Sequence, residues 1–221
     1  MNQGQWSRVD DYIADRLLPP DPVLEATLAA NAAAGLPAID VSAVQGKLLN
    51  LLVAICGARR VLEVGTLGGY STIWMARALP QHGRLVTLEY EPHHATVAQA
   101  NIERAGLAAM VDIRVGKAID TLPALFADGL GPFDFIFIDA DKPSNPQYVD
   151  WAIRLSRPGT VVVLDNVVRN GAVVDEESRD PNVQGVRAAF DMLAGDRRLS
   201  ATALQTVGSK GYDGFAIAVV N

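Results

Sequence analysis

The stretch Val61-Leu62-Glu63-Val64-Gly65-Thr66-Leu67-Gly68-Gly69-Tyr70-Ser71 constrains this chain more than any other. An apolar strand runs into a glycine turn, and a helix begins directly after it. That unit opens a doubly wound α/β sheet and leaves bare backbone at the carboxyl end of a strand, where a ligand can lie. The turn reads G-x-x-G-G. The alternative G-x-G-x-x-G seats a pyrophosphate on a helix N-terminus. Glu63 is expected inside the turn, where its charge repels phosphate. The pocket is therefore expected to take a nucleoside that carries an amine or a positive charge.

The rest of the chain extends the same pattern. Residues 6–18 have the spacing of an amphipathic helix. Pro19-Pro20-Asp21-Pro22 stops it and restarts a second helix through about Ala34. Gly35-Leu36-Pro37 breaks that one, and Ser42 caps an apolar helix running to about Cys56. Strands are predicted over 60–64, 84–90, 111–115, 133–139 and 160–165. Each is a short, mostly continuous apolar run, as buried parallel strands are. Helical segments lie between them, with Pro92 at a first helical position and Gly106 at a C-terminal cap. Residues 201–207 and 214–220 are two further strands. The six residues between them are too few for a parallel crossover, so the pair is antiparallel. The predicted fold is a mostly parallel seven-stranded sheet of Rossmann-like type closed by a C-terminal antiparallel hairpin. Residues 1–41 are expected to form a helical lid or dimerisation segment, and 42–221 the main domain.

Bulk properties exclude several classes. With 221 residues, 49% of them hydrophobic, the chain suits one α/β core. A net charge of -6 without a basic stripe argues against a nucleic-acid surface. Asp10, Asp11 and Asp15 interrupt the first twenty residues, so no signal peptide is expected there. No apolar run approaches the roughly 18 residues of a membrane span. A single cysteine rules out an internal disulfide. A soluble, cytoplasmic protein is the expectation.

S-adenosylmethionine, with its sulfonium and amino acid group, meets the demands of the glycine turn. Acidic or amide residues close the strands at the end where ligands gather. Glu89 closes the second strand, where one carboxylate can accept both ribose hydroxyls. The same acid suits NAD or a solvated strand end equally well. Asp139 and the pair Asp165-Asn166 close two others. Two carboxylates and an amide oxygen are hard donors, suited to Mg²⁺, Mn²⁺ or Ca²⁺ rather than zinc. Turn and cap chemistry is the alternative for that pair. His82, His93 and His94 are expected at the surface and Trp74 in packing, with Trp151 either in packing or bordering the adenine.

Three segments together carry a resemblance. Phe133-Asp134-Phe135-Ile136-Phe137-Ile138-Asp139-Ala140-Asp141-Lys142, then Asp165-Asn166-Val167, then Gly211-Tyr212-Asp213-Gly214-Phe215 resemble the cation-dependent O-methyltransferases, such as catechol and caffeoyl-CoA O-methyltransferases. The similarity runs from about Ser42 to Val220. It implies Asp139, Asp165 and Asn166 as metal ligands and Lys142 as general base. It also implies Glu63, Gly65, Tyr70, Ser71, Glu89, Ala118 and Asp139 around the methyl donor, and a homodimer. A phenol has a pKa near 10. A dication favours the phenolate, and a neighbouring lysine can take the proton. A lone loop lysine would otherwise be read as solvated.

Residues 167–183 follow the implied ligands and are expected to border the acceptor. No basic patch fit for coenzyme A stands in the N-terminal helices. The expected activity is therefore methyl transfer to a hydroxyl of a small catechol-like, phenolic acceptor. Two further readings remain. One is another hydroxyl acceptor, on a natural product or tRNA. The other is a non-catalytic S-adenosylmethionine-binding protein. An NAD-dependent dehydrogenase conflicts with the glycine pattern and the closing hairpin.

Overall fold

The computed structural model describes residues 2–221. Three helices come first: α1 (Gln3–Leu17), α2 (Pro22–Ala33) and α3 (Ala43–Ile55). Asp21 caps α2, accepting from the backbone N–H groups of Val23 and Leu24, and Ser42 caps α3. Strands and helices then alternate: β1 (Arg60–Val64), α4 (Tyr70–Ala76), β2 (Arg84–Glu89), α5 (Pro92–Arg104), β3 (Val111–Val115), α6 (Ala118–Ala127), β4 (Phe133–Ile138), α7 (Asn145–Arg154), β5 (Ser156–Asp165) and α8 (Pro181–Gly195). The chain ends in β6 (Leu199–Gly208) and β7 (Gly211–Val220).

These strands form one seven-stranded sheet in the order β3-β2-β1-β4-β5-β7-β6. β1 to β5 pair in parallel, and β7 pairs antiparallel to both β5 and β6. The predicted doubly wound sheet with its antiparallel hairpin is therefore present. The strand order reverses between β1 and β4, which opens a crevice beyond their carboxyl ends.

Each inner strand feeds two cores by simple alternation. Leu62, Ile136, Ile138, Val162 and Leu164 join α6, α7 and α8 on one face. Val61, Phe135, Phe137, Val161 and Val163 join α3, α4 and α5 on the other. A run that is apolar at every position is thus what a sheet covered on both faces requires. Phe135 and Phe137 are buried, and each such side chain contributes about 1.5–3 kcal/mol.

Three local expectations need correction. β3 is an edge strand, and Asp112 and Val115 are exposed. The hairpin connection is Ser209-Lys210 rather than six residues, because Val207 pairs with Tyr212 and Thr206 with Asp213. Polar residues and glycines at a sheet edge can imitate a loop. Glu63 lies within β1, before the turn rather than in it. No helix among the described residues is long and apolar enough to cross a membrane.

Candidate active site

A cavity of about 880 Å³ opens at the switch point. Gly65, with φ +101°, forms its floor between β1 and β4. A Cβ at this position would lie 2.1 Å from the backbone oxygen of Asp139, so the close approach of the two strand ends requires glycine. Gly69, at φ +83°, starts α4 and sets Tyr70 and Ser71 against the cavity.

Glu89 closes the other side of this end. One carboxylate oxygen accepts from Thr66 N (3.1 Å) and Leu67 N (2.8 Å), and the other from Glu91 N (2.9 Å). It thereby ties the glycine turn to the end of β2 while still facing the cavity. His94 Nδ1 lies 3.4 Å from the same carboxylate and lines the cavity, against the surface position expected for it. His82 and His93 are exposed. Ala118, the first residue of α6, completes the wall.

Glu63 does not line the cavity. It is fully buried, and one oxygen accepts from Ser71 Oγ at 2.6 Å. The other accepts from the hydroxyls of Thr72 and Thr87. Burial pushes its carboxyl up to about 7, against the pull of these three hydroxyls. The structure places Glu63 behind Ser71, which it orients.

Asp139 follows β4 and lines the cavity. Lys142 Nζ lies 2.7 Å from Asp139 Oδ1, and Lys142 is only 6% exposed. α8 passes directly beneath: a Cβ on Gly185 would meet the Lys142 backbone oxygen at 2.1 Å. Asn166, at φ +56°, lines the same cavity. Asp165 is buried and faces a second, smaller cavity of about 280 Å³ that adjoins the first at Asn166. Its carboxylate accepts from Asn166 N (2.8 Å) and from Gln45 Nε2 (2.6 Å). Burial, then the charge of Asp139, raises the Asp165 carboxyl above its ordinary range; Lys142 and the two hydrogen bonds oppose this.

Several cavity residues lacked a signal in the sequence. Asp40 and Val41 line the cavity, and nothing in the local sequence marks them. A buried amide relay holds it there. Asn31 of α2 donates to Asp40 (2.9 Å), and Asn101 of α5 donates to both Asn31 and Gly68 O (2.9 Å each). No spacing in the sequence joins those four positions. Tyr148 donates to the Asp141 carboxylate, and burial together with that carboxylate holds its phenol above the usual value. Ser144 donates to the other Asp141 oxygen. Arg169 and Asn182, from the segment expected to border an acceptor, do line the cavity. Trp151 packs away from it, with Phe126 and Arg154. Tyr212 donates to Gln205 across the hairpin.

Among the described residues no three His, Cys, Asp or Glu side chains form a metal cluster. The oxygen donors that could hold a cation are two acids and one amide: Asp139, Asp165 and Asn166.

Comparison with known proteins agrees with this geometry. A family model described as O-methyltransferase matches residues 20–216. A catechol O-methyltransferase of Niastella koreensis is 58% identical over 220 residues, 100% of both chains. An O-methyltransferase of Bacillus cereus, solved in complex with SAH, superposes with a TM-score of 0.99 at 58% identity over 100% of both chains. The O-methyltransferase TomG of Streptomyces achromogenes, involved in tomaymycin synthesis and solved with SAM, gives 0.97 at 51% identity, covering 100% of this chain and 99% of that one. With its Rossmann-like sheet, its glycine turn at the switch point and a family match over most of its length, the chain belongs to the O-methyltransferase family, as an S-adenosylmethionine-dependent enzyme.

Proposed function

We propose that this enzyme moves the sulfonium methyl of S-adenosylmethionine to one hydroxyl of a small vicinal dihydroxy aromatic acceptor, aided by a divalent cation. The observation that carries this reading is the continuity of the main cavity. Gly65, Tyr70, Ser71, Glu89 and Ala118 line the same space as Asp139, Lys142 and Asn166, and Gly65 and Asp139 meet at the strand ends where the two sets join. The catechol O-methyltransferase relative supports the acceptor class.

The donor set suits a hard dication. Asp165 is a buried carboxylate beside a second carboxylate, and its raised pKa marks negative charge that the fold leaves undercompensated. Asp139, Asp165 and Asn166 would hold Mg²⁺, or Mn²⁺ or Ca²⁺, all of which prefer oxygen ligands. When bound, such an ion favours the ionised form of a phenol.

The chain's own residues do the rest. Glu89 keeps one acceptor position, on Oε1 beside the Glu91 N–H, for a ribose hydroxyl of the donor. Gly65 lets the donor lie against bare backbone, and Glu63 fixes Ser71 beside it. Lys142 Nζ, held beside Asp139, is the group placed to receive the proton of the attacking hydroxyl. The carbon–sulfur bond breaks as the oxygen–carbon bond forms, leaving S-adenosylhomocysteine and an aryl methyl ether. Fixing the two reactants in line removes much of the entropic barrier. Ile39, Asp40 and Val41 line the cavity, and the lid or dimerisation role of residues 1–41, the homodimer and the cytoplasmic residence expected from the sequence belong to the same reading. A natural-product hydroxyl is the second reading, favoured by the relative involved in tomaymycin synthesis.

Methyl-labelled S-adenosylmethionine and a panel of catechols test the proposal. Label is expected in the acceptor with Mg²⁺, to fall at least about a hundredfold with EDTA, and to fall similarly in Asp165→Ala. Transfer that survives both treatments would remove the cation from the reaction. Donor binding without transfer to any acceptor would remove the catechol.

A further inference from the structure

Arg169 lines the main cavity at its Lys142 and Asn166 end. Its Nε–H is buried and finds no acceptor among the described residues. Burying a guanidinium N–H without a partner is costly, because the group forfeits its water and gains nothing in return. Asp180 feels the charge of Arg169, but as the smallest influence on it. That carboxylate is exposed and already accepts from Asn182 N and Nδ2.

The other charged groups of this end have partners. Asp139 is held by Lys142 at 2.7 Å, and Asp141 by the hydroxyls of Tyr148 and Ser144. Nor is Arg169 on a loose loop. Its own N–H and that of Val168 donate to Asp213 Oδ1, at 3.0 and 2.9 Å. Arg187 Nη1 donates to Val173 O (2.9 Å), pinning the far end of the turn to α8. Arg169 and Asn170 both adopt φ +55°. Non-glycine residues persist in that conformation where surrounding structure fixes them, and such strain gathers at binding sites.

We propose that Arg169 binds a carboxylate carried by the acceptor, so that the preferred substrate is a dihydroxy aromatic acid. A guanidinium fork matches the two oxygens of a carboxylate in one plane. A fixed backbone reduces the ordering cost of that contact. In a chain of net charge -6, recognition of an anion requires such a local, unpaired cation. The inference rests on the catechol reading above and narrows it. Arg169 is a specificity residue: it grips the substituent, while Lys142 and Asp139 face the hydroxyls.

The test compares 3,4-dihydroxybenzoate, catechol and 3,4-dihydroxybenzylamine as acceptors for the Mg²⁺-loaded wild type, Arg169→Gln and Arg169→Lys. In Arg169→Gln the ratio of kcat/KM for the acid over catechol is expected to fall at least about tenfold, mainly through KM. Arg169→Lys is expected to retain part of it, and carries the test if the Gln variant does not fold. Calorimetric titration of the acid into SAH-loaded protein should show the same loss of affinity. An unchanged ratio, or an equal loss for all three acceptors, overturns the proposal. If the wild type turns over none of the three, the catechol reading fails. The titration then decides Arg169 alone, and equal affinity in wild type and variant overturns it.

Discussion

Gly65 shows how one missing side chain makes a site. Two properties coincide there: a left-handed φ, and a Cβ position 2.1 Å from a neighbouring backbone oxygen. They are separable by experiment. Gly57 also has a left-handed φ, +58°, but open space where its Cβ would be. Gly57→Ala is expected to cost about 1–2 kcal/mol from backbone strain and to leave SAH binding intact. Gly65→Ala adds a clash between two strand ends. It is expected to lose about 2–4 kcal/mol of stability and most of its affinity for SAH. Urea unfolding and calorimetry check both. Equal behaviour of the two variants would mean that close approach contributes nothing at the floor of the cavity.

At the scale of elements, α8 stands where it does because Gly185 lets it press on the turn that carries Lys142. Gly185→Ala would force the Lys142 and Pro143 backbone away from contacts of 2.1 and 2.7 Å. The expected result is a loss of about 1–3 kcal/mol in stability, a lower kcat as Lys142 leaves Asp139, and unchanged SAH affinity. A normal kcat in the destabilised variant would show that Lys142 need not be held so tightly. The inner strands were legible as continuous apolar runs, and so were Asp139, Asp165 and Asn166 as strand-end residues; their reading as cation ligands came from the family resemblance, because turn and cap chemistry accounts for the same residue types. The hairpin ends were not, since a half-exposed edge strand tolerates Ser, Lys, Tyr and Asp that otherwise signal a loop. Gln45 illustrates the limit of local patterns. Ser42 and Gln45 match an S-x-x-Q capping box, in which the Gln side chain turns back to the cap. Here its amide reaches Asp165 instead, at 2.6 Å. Asp40 and His94 enter the cavity through long-range packing of α2 and α5, which local spacing does not encode.

Across the whole molecule, the sheet separates two apolar cores, and the fully buried Glu63 stands in β1 between them. Three hydroxyls hold it, yet burial still raises its carboxyl from an ordinary 4.5 to about 7. The folded protein therefore keeps a proton on Glu63 that the unfolded chain releases near 4.5. Between those two values the folded state binds more protons, so stability falls as pH rises and the full penalty stands above about 7. At about 1.4 kcal/mol per unit, the penalty is on the order of 3 kcal/mol. Asp165 titrates in the same sense, so the wild-type curve alone does not isolate Glu63. Glu63→Gln does, because an amide cannot ionise and, like the protonated acid, turns an accepting carbonyl oxygen to one side and a donor group to the other. Wild type and variant are expected to be close in stability at pH 4.5, with the variant gaining on the wild type as pH rises to 8. Denaturant unfolding across that range measures the gap. Parallel curves would mean that Glu63 stays ionised within the fold. Its three hydroxyl donors would then outweigh the loss of water, and orienting Ser71 beside the methyl donor would carry no cost in stability.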